Sequence, residues 1–439
     1  MFSKVVPTAR LVRWIALGSP LWLLALAAPA GWIAGAAWLL VLTSICVMDY
    51  VSVPGAGSFE AERVIGRLSL GAISEVHIQL TNHSSRNLIV SMRDELPPAM
   101  QQLTAIEAVH LPENGECDWK YEVRSRRRGK YHLDRLVLRA GRVGGLVEKE
   151  LRLEAPADFR VYPRFATADE YRLLARIHHQ DEAMRRPRRV HGHGTDFESL
   201  LAYSPGEDLR TVDWKASAKR GFLVSRNLQT ERGQQISIMI DGGRRMAEQI
   251  GEYSRFEYAL NAAVMLSNVA QRRGDTVAVS TFSDRVESFM PPTRGAAVMR
   301  TVLESLSTVE VRQVETDYWQ VVGQVMDRLK RRSLLVMMTD VLDSSGSSGL
   351  LINLARAASR HLVLCVVLGE PRIATIADSE PETLQDTFVK AAAAHTKLQR
   401  HLALETMRSR GIMVLETSPD QLTIQLIRRY LEVRRANLQ

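Results

Sequence analysis

A long uncharged run near the N-terminus constrains this chain more than any other feature. The 35 residues from Trp14 to Met48 include no Asp, Glu, Lys or Arg. One helix of that length would measure about 52 Å, whereas the hydrocarbon core of a bilayer is ~30 Å thick. Two helices fit better, at Leu11–Ala28 and Trp32–Met48, turning at Pro29-Ala30-Gly31. We therefore expect a transmembrane hairpin within residues 11–50.

The flanks of this run predict its orientation. They carry the basic residues Lys4, Arg10, Arg13, Arg63 and Arg67. Because the turn between the helices carries no Lys or Arg, both flanks are expected in the cytoplasm, with residues 1–10 as a cytoplasmic tail. The alternative is a signal peptide cleaved near Ala25-Leu26-Ala27. The apolar run Gly31–Met48 would anchor the chain even then.

The overall composition is that of a globular protein. Hydrophobic residues make up 46% and charged residues 24%, which excludes a collagen-like or wholly disordered chain. The cysteines number three, so they do not form a disulfide framework. The net charge of +8 fits an anionic membrane face or an acidic partner, without requiring nucleic acid.

The pattern after the hairpin changes twice. Residues 51–165 read as short strands with alternating polarity, as in Glu75–Leu80, and predict an antiparallel β-sandwich-like domain. Residues 166–234 show little periodicity and are expected to form a connector. In residues 235–439, apolar strands alternate with helices, which predicts a parallel sheet covered on both faces. The expected strands are Ile236–Ile240, Thr276–Phe282, Ser333–Met338, Leu362–Leu368 and Gly411–Leu415.

Two carboxylates follow strands of this sheet, Asp241 and Asp340. Ligands of such sheets bind at the carboxyl ends of the strands, and with Thr316 these residues could hold Mg²⁺. The von Willebrand factor A domain builds its metal site from D-x-S-x-S, a Thr and an Asp. Here Gly243 and Arg245 replace both serines. We therefore expect a degenerate site with no cofactor or weak Mg²⁺ binding, whose carboxylates cap loops or pair with Arg245.

The same face is the predicted partner surface. Its residues are Asp241, Arg245, Thr316 and Asp340. We expect Arg245 to take over much of the electrostatic role of the missing cation and to pair with a carboxylate of a partner. The protein is expected to have no catalytic residues and to do no bond-making chemistry of its own.

Two other function classes stay open. A metal-dependent hydrolase would use Asp241 and Asp340, although it needs more ligands or a base. A nucleic-acid-binding membrane protein would use Arg185–Arg189 and the basic group around Tyr131, but aromatic residues are sparse there. That basic group consists of Arg124, Arg126, Arg127, Arg128 and Lys130.

The connector contains a dense motif in which a Pro-Gly turn leads into alternating charges around apolar residues. The motif residues are Pro205, Gly206, Glu207, Asp208, Arg210, Asp213, Trp214 and Ser217. Opposite charges flanking a tryptophan predict a buttress that fixes the connector against the α/β domain. A solvated turn followed by a helix start is the alternative.

This motif closely resembles the hallmark of the bacterial domain of unknown function 58 family. Arg127-Arg128-Gly129-x-Tyr131 and Val161-Tyr162-Pro163 are similar to two further elements of that family. The resemblance implies two membrane spans, an all-β domain and a von Willebrand factor A-like, Rossmann-type α/β domain. It also implies an adaptor or scaffold in the bacterial inner membrane. The partners that it implies are a MoxR-type AAA+ ATPase and other membrane proteins with von Willebrand factor A or transglutaminase-like domains.

Overall fold

A computed structural model describes residues 4–24, 30–105, 107–164, 196–203, 212–229, 233–341, 348–369 and 371–436. The chain divides into two units, Met1–Arg164 and Phe165–Gln439. Both units contain β-sheets, and the first also contains two apolar helices near its N-terminus. A multi-domain chain with mixed α and β structure is therefore confirmed.

The apolar run forms two helices, α1 (Ala9–Leu24) and α2 (Ala30–Ser52). Their indole rings meet in pairs. The Trp14 and Trp38 centroids are 5.7 Å apart, and those of Trp22 and Trp32 are 5.6 Å apart. This register makes the helices antiparallel. Among the described residues, one helical stretch, within α2, is long and apolar enough to cross a membrane.

The first unit continues as a β-sandwich. One sheet has the order β1-β10-β9-β5-β7, with β3 beside β10, and the other has the order β2-β4-β8-β6. Its strands are β1 (Lys4–Pro7), β2 (Phe59–Ile65), β3 (Leu68–Ser69), β4 (Ile73–Asn82), β5 (Leu88–Asp94), β6 (Met100–Gln102), β7 (Val109–Leu111), β8 (Glu116–Ser125), β9 (Gly129–Arg142) and β10 (Val147–Tyr162). Alternate residues of facing strands, such as Ile78 and Leu138, fill one core between the sheets.

Arg63, one of the basic residues that flank the helical hairpin, carries no information about membrane orientation. Arg63 lies inside the sandwich, where its guanidinium pairs with Asp94 at 2.7 Å and both side chains are fully buried. Tyr121 donates its hydroxyl to the same carboxylate. Arg63 is therefore a core residue, since its charge is neutralised within the domain.

Both ends of the helical hairpin are attached to the sandwich. Residues expected to be a tail form β1, which pairs antiparallel with β10 from Lys4↔Glu150 to Pro7↔Val147. The Thr8 hydroxyl donates to the Leu146 carbonyl at 2.8 Å, and the Leu146 N–H donates to Asp49 at 2.7 Å. The hairpin thus leaves the sandwich and returns to it at the β9–β10 turn.

The second unit is built on a six-stranded sheet with the order β17-β16-β13-β18-β19-β20. All neighbours are parallel except the edge strand β17. Apolar cores lie on both faces of the sheet. The strands of this sheet are β13 (Gln235–Asp241), β16 (Thr276–Phe282), β17 (Val286–Thr293), β18 (Leu334–Thr339), β19 (Leu362–Leu368) and β20 (Met413–Thr417).

Helices cover this sheet, and a small hairpin precedes it. The helices are α3 (Trp214–Arg220), α4 (Arg255–Arg272), α5 (Ala297–Ser307), α6 (Tyr318–Arg328), α7 (Ser348–Ala358), α8 (Pro371–Asp378), α9 (Leu384–Ser409) and α10 (Leu422–Ala436). The hairpin pairs β11 (Asp196–Ala202) with β12 (Val224–Gln229), and α3 lies between them in sequence. Short strands also occur at β14 (Gln249–Ile250) and β15 (Tyr253–Ser254).

Candidate functional site

The predicted site lies at the carboxyl edge of the parallel sheet. Strand β13 ends at Asp241 and its neighbour β18 ends at Thr339, with Ile240 paired to Met338. Parallel neighbours finish at the same edge, so Asp241 and Asp340 are both placed there. Each is only 2% exposed. Direct contact between either carboxylate and a partner would therefore require the edge to open.

The Asp241 carboxylate accepts four hydrogen bonds from the protein. Oδ1 accepts from the Gly243 N–H at 2.8 Å and from the Thr316 hydroxyl at 2.7 Å. Oδ2 accepts from the Tyr318 hydroxyl at 2.8 Å and from the Thr339 hydroxyl at 2.6 Å. Asp241 therefore fastens residues 316–318 and the end of β18 to the end of β13.

Burial and the neighbouring Asp241 carboxylate raise the pKa of the Tyr318 hydroxyl well above its usual value. Two nearby groups, the Thr339 hydroxyl and the Arg245 guanidinium, act in the opposite direction. The neutral phenol is the form that the site stabilises, because an anion there would face Asp241 in a buried setting.

This shift predicts a loss of stability in alkali. Above pH ~10 tyrosine ionises in the unfolded chain while Tyr318 in the folded protein stays protonated. The stability that Tyr318 contributes is therefore fully present below pH ~10 and falls as the pH rises further. In Tyr318→Phe, the fall in the free energy of unfolding with pH should be smaller by up to about 1.4 kcal/mol per pH unit. The measurement is urea unfolding of the full chain in detergent between about pH 8 and 11. An unchanged slope would contradict the assignment.

Asp340 is held by two arginines. Its Oδ2 atom pairs with Arg255, and its Oδ1 atom lies 3.3 Å from Arg400 Nη2. Arg255 also pairs with Glu248 at 3.0 Å, and Arg400 also lies 3.2 Å from Glu416. The side chains of Asp340 and both arginines are less than a tenth exposed. Asp340 therefore pairs with Arg255 and Arg400, so of the two expected alternatives, loop capping or pairing with Arg245, the pairing with Arg245 is wrong for this residue.

The donor set of this edge does not fit Mg²⁺. Magnesium requires nearly octahedral oxygen ligands, several of them water. Both oxygens of Asp241 already accept two hydrogen bonds, and Asp340 is neutralised by two guanidinium groups. Within the described part of the chain, no group of three or more His, Cys, Asp or Glu side chains could hold a metal. The edge is arranged as a closed polar network.

Gly243 replaces the first serine of D-x-S-x-S, and its surroundings require the absence of a side chain. A Cβ atom there would lie 2.1 Å from the Thr316 hydroxyl oxygen and 3.2 Å from the Val314 carbonyl oxygen. The backbone at Gly243 is extended, with φ of −74°, so the constraint is space and not torsion. A serine at this position would displace the Thr316–Asp241 hydrogen bond.

Gly243→Ala should therefore destabilise the protein by about 1–3 kcal/mol, because an added methyl group overpacks a rigid site. Gly323→Ala is the matched control. A Cβ at Gly323, inside α6, meets nothing within 4 Å, and alanine there should stabilise by ~0.5–1 kcal/mol. Thermal unfolding of both variants tests the difference. Equal stability of the two variants would show that Thr316 moves freely.

The exposed rim beside Asp241 carries opposite charges and a tryptophan. Glu315 lies 2.7 Å from Arg244 and 3.6 Å from Arg245. Trp319, at the start of α6, is 62% exposed. We call Arg244, Arg245, Glu315 and Trp319 the rim surface. Tryptophan and arginine are the residue types that most often dominate binding energy at protein interfaces.

Sequence reasoning identified Asp241, Arg245, Thr316 and Asp340 but missed other members of this edge. The structure joins Thr316 to Asp241 and places Arg245 on the rim. The missed members are Arg255, Tyr318, Trp319 and Arg400. The pair Tyr318-Trp319 directly after Thr316-Asp317 was an available signal for two of them.

The connector motif is described only in part, since Pro205, Gly206, Glu207, Asp208 and Arg210 lie outside the described residues. Asp213 caps α3 by accepting from the N–H groups of Lys215 and Ala216. The buried Ser217 hydroxyl accepts from the Val224 N–H at 2.9 Å. Trp214 is 65% exposed, so the buttress interpretation is wrong for this residue and the helix-start alternative fits it.

The basic group near Tyr131 is partly engaged within the sandwich. Arg124 donates to the Gly71 carbonyl, and Arg126 donates to Gln101. Tyr131 stacks on Phe159 with centroids 5.7 Å apart and is not a free platform for bases. The second basic group, Arg185–Arg189, lies outside the described residues.

Comparison with known proteins places this chain beside one family. Residues 199–402 match the family described as "Protein of unknown function DUF58". "Uncharacterized protein YeaD" of Bacillus subtilis is 25% identical over 193 residues, which cover 42% of this chain and 48% of YeaD. "Uncharacterized protein Rv1480" of Mycobacterium tuberculosis is 23% identical over 271 residues, covering 56% of this chain and 81% of that protein. The alignment thus spans about half the length of YeaD.

Solved structures show a distant likeness. "Conserved hypothetical protein BatB" from Bacteroides thetaiotaomicron has a TM-score of 0.34 at 13% identity and covers 46% of this chain and all of that one. An "aerotolerance-related membrane protein" from Bacteroides fragilis has a TM-score of 0.32 at 12% identity, covering 45% of this chain and 98% of that one. Scores this low do not establish a shared fold.

Proposed function

We propose that this protein is a membrane-anchored, non-enzymatic adaptor that presents the carboxyl edge of its α/β domain to protein partners. The observation that carries the proposal is the bonding of the two strand-end carboxylates. Asp241 accepts hydrogen bonds from neighbouring segments and Asp340 pairs with two arginines, so both carboxylates stabilise the carboxyl edge of the sheet itself. The exposed rim surface is then the part of this edge that a partner can reach.

Membrane anchoring is supported by how the hairpin joins the sandwich. Helix α2 is apolar enough to span, and side chains along α1 and α2 such as Leu17, Ile33 and Leu40 are more than 60% exposed. Since β1 and the end of α2 both attach beside the β9–β10 turn, a chain that crosses with α2 must cross back with α1. We propose two spans, with the sandwich in the cytoplasm of a bacterial inner membrane.

The proposed partner is a MoxR-type AAA+ ATPase, and the proposed work is protein maturation or complex assembly. The family match to residues 199–402 and the resemblance to that family support this choice. A von Willebrand factor A-like identity for the α/β domain belongs to the same proposal. Other membrane proteins with von Willebrand factor A or transglutaminase-like domains are further proposed partners.

The hydrolase alternative draws no support from the carboxyl edge. A general base or metal ligand must be able to reach a substrate, and the two carboxylates are buried and hydrogen-bonded or ion-paired. The nucleic-acid alternative loses Tyr131 as a stacking platform. Neither alternative is favoured by an observation of its own.

The test uses two exposed tryptophans. Trp319→Ala removes the aromatic residue of the rim surface, and loss of such an interface residue costs ~2 kcal/mol, or roughly thirtyfold in affinity. Trp214→Ala is the matched control, since that residue is as exposed but lies on α3. The measurement is crosslinking in native membranes, affinity purification and mass spectrometry, with and without ATP.

We expect an AAA+ ATPase with the native chain and with Trp214→Ala, and a strong reduction with Trp319→Ala. Equal recovery with both variants would reject the rim surface as the binding face. Recovery of no ATPase in either nucleotide state would reject the proposed partner.

A further inference from the structure

Helix α9 is longer than the domain needs. It has 26 residues, and its buried members all lie in the second half, at Arg400, Ala403, Leu404 and Met407. Residues 384–399 are exposed or half-buried throughout. The first four turns of the helix therefore contain no buried residue of their own and extend along the surface beside α8, where Lys397 Nζ lies 3.0 Å from Asp378.

Local interactions maintain these first turns. The Thr383 hydroxyl accepts from the Asp386 N–H at 3.1 Å, and the Asp386 carboxylate accepts from the Thr383 N–H at 2.9 Å. This reciprocal capping box satisfies the helix start. Residues 391–394 are all alanine, the residue type with the highest helix propensity. The helix thus stays formed while its outer face remains uncovered.

The outer face carries a regular stripe. Its members are spaced alternately by four and three residues, the repeat of a coiled-coil seam. In order they are Leu384, Phe388, Ala391, His395, Leu398 and Leu402. The four large side chains are 77%, 69%, 54% and 47% exposed from Leu384 to Leu402. The stripe lies on the side of α9 opposite its buried residues, because the two sets differ by about half a helical turn.

The stripe is symmetric about Ala393. An antiparallel copy would place Leu384 opposite Leu402 and Phe388 opposite Leu398, with Ala391 against His395 at the centre. Antiparallel pairs with twofold symmetry require this self-complementary order. A partner with an unrelated sequence would not require it.

The residues that flank the stripe agree with this symmetry. They are Gln385, Thr387, Ala392, Ala394, Gln399 and His401, with no Asp, Glu, Lys or Arg among them. Charges at these positions normally select a different partner or reject an identical one. An uncharged flank does neither, so two identical faces can approach without repulsion.

We propose that two copies of this chain associate through α9, paired as antiparallel helices centred on Ala393. Each of the four large side chains can bury on the order of 100 Å². Their sum is about half of the ~800 Å² per partner in a standard stable interface. The dimer is therefore weak in dilute detergent and favoured where the chain is concentrated.

The first test measures the mass of the full chain in detergent by light scattering between about 1 and 100 μM, the range of a weak interface. Phe388→Glu should abolish the dimer, because two carboxylates would enter the seam. Ile352→Glu is the matched control, since Ile352 is 51% exposed on α7, and it should dimerise like the native chain. Both sites are exposed, so neither variant should unfold.

The second test is disulfide crosslinking in native membranes. Ala391→Cys combined with His395→Cys should give a crosslinked dimer under mild oxidation, whereas Ile352→Cys should not. A native chain that stays monomeric at 100 μM and gives no crosslink would overturn the proposal. A dimer that survives Phe388→Glu would overturn it as well, by assigning the contact to another face. A monomer in which the cysteines at positions 391 and 395 are protected from thiol modification would also overturn the proposal, because another segment of this chain would then cover the stripe.

Discussion

Asp340→Ala should destabilise the α/β unit by about 3–5 kcal/mol, the cost of removing one partner from a buried ion pair. The Arg255 and Arg400 side chains, 1% and 8% exposed, would lose the anion that they share. For a unit of this size, that loss lowers the unfolding temperature by roughly 10 °C. Calorimetry of the full chain in detergent resolves the transition, because the two units need not unfold together.

Glu416→Ala is the control for this effect. Glu416 also pairs with Arg400, at 3.2 Å, but its side chain is 45% exposed. Exposed ion pairs contribute ~0–1 kcal/mol, so the unfolding temperature should change by only a few degrees. If both variants behaved alike, Asp340 would not be the buried centre of this network.

The size of the expected effect follows from what Asp340 connects. Arg255 is the first residue of α4, and Arg400 lies in the buried half of α9. Through one carboxylate, the end of β18 is tied to helices from distant parts of the chain. Such a residue stabilises the platform under the rim surface, so its loss should weaken partner binding only as far as it unfolds the domain.

The strands of the parallel sheet could be predicted because each is a short apolar run. Thr276–Phe282 and Leu362–Leu368 have the same bounds in the sequence pattern and in the structure. The edge strand β17 was missed, since its alternation is broken by Pro291 and Pro292 and only one of its residues, Met290, is fully buried. Local periodicity detects a strand that is covered on both faces better than one at an edge.

The tertiary contacts of the N-terminal region also could not be predicted from the local sequence pattern. The residues of β1 are adjacent in sequence to an apolar helix, which favours a tail, yet they pair with β10 residues 140 or more positions away. The sequence alone predicts Arg63 as a membrane-flanking charge, because nothing nearby in sequence reveals Asp94 as its buried partner. Both differences come from contacts that only the assembled sandwich creates.

At the carboxyl edge too, some features could be predicted from the sequence, whereas contacts between distant residues could not. Strand order places Asp241 and Asp340 together, and the D-x-S-x-S comparison exposed the missing serines. The partners of Asp340 could not be read from spacing, because Arg255 precedes it by 85 residues and belongs to a helix that reads as amphipathic core. Lost ligands therefore predicted a weakened metal site, but not the hydrogen-bonded network that takes its place.

Asp241→Ala should destabilise the protein by about 3–5 kcal/mol whether or not Mg²⁺ is present. The hydroxyls of Thr316, Tyr318 and Thr339 and the Gly243 N–H would all lose their acceptor, and each unsatisfied buried group costs ~1–3 kcal/mol before rearrangement. Asp241→Asn keeps the shape and one acceptor, while hydroxyls can accept from its amide. It should cost only ~1–2 kcal/mol.

The metal arm of this experiment separates a hydrogen-bonding role from a ligand role. A site with micromolar affinity would stabilise the native chain by ~2.7 kcal/mol at a hundredfold excess of Mg²⁺ or Mn²⁺ over its dissociation constant. We expect no shift in unfolding temperature between chelator and millimolar metal, and the same deficit of Asp241→Ala in both. A metal-dependent rise that disappears in Asp241→Ala would show that the carboxylate exchanges its hydroxyl donors for a cation. The rim surface would then be remodelled by metal, because Thr316 and Tyr318 hold it to Asp241 only while those hydrogen bonds remain.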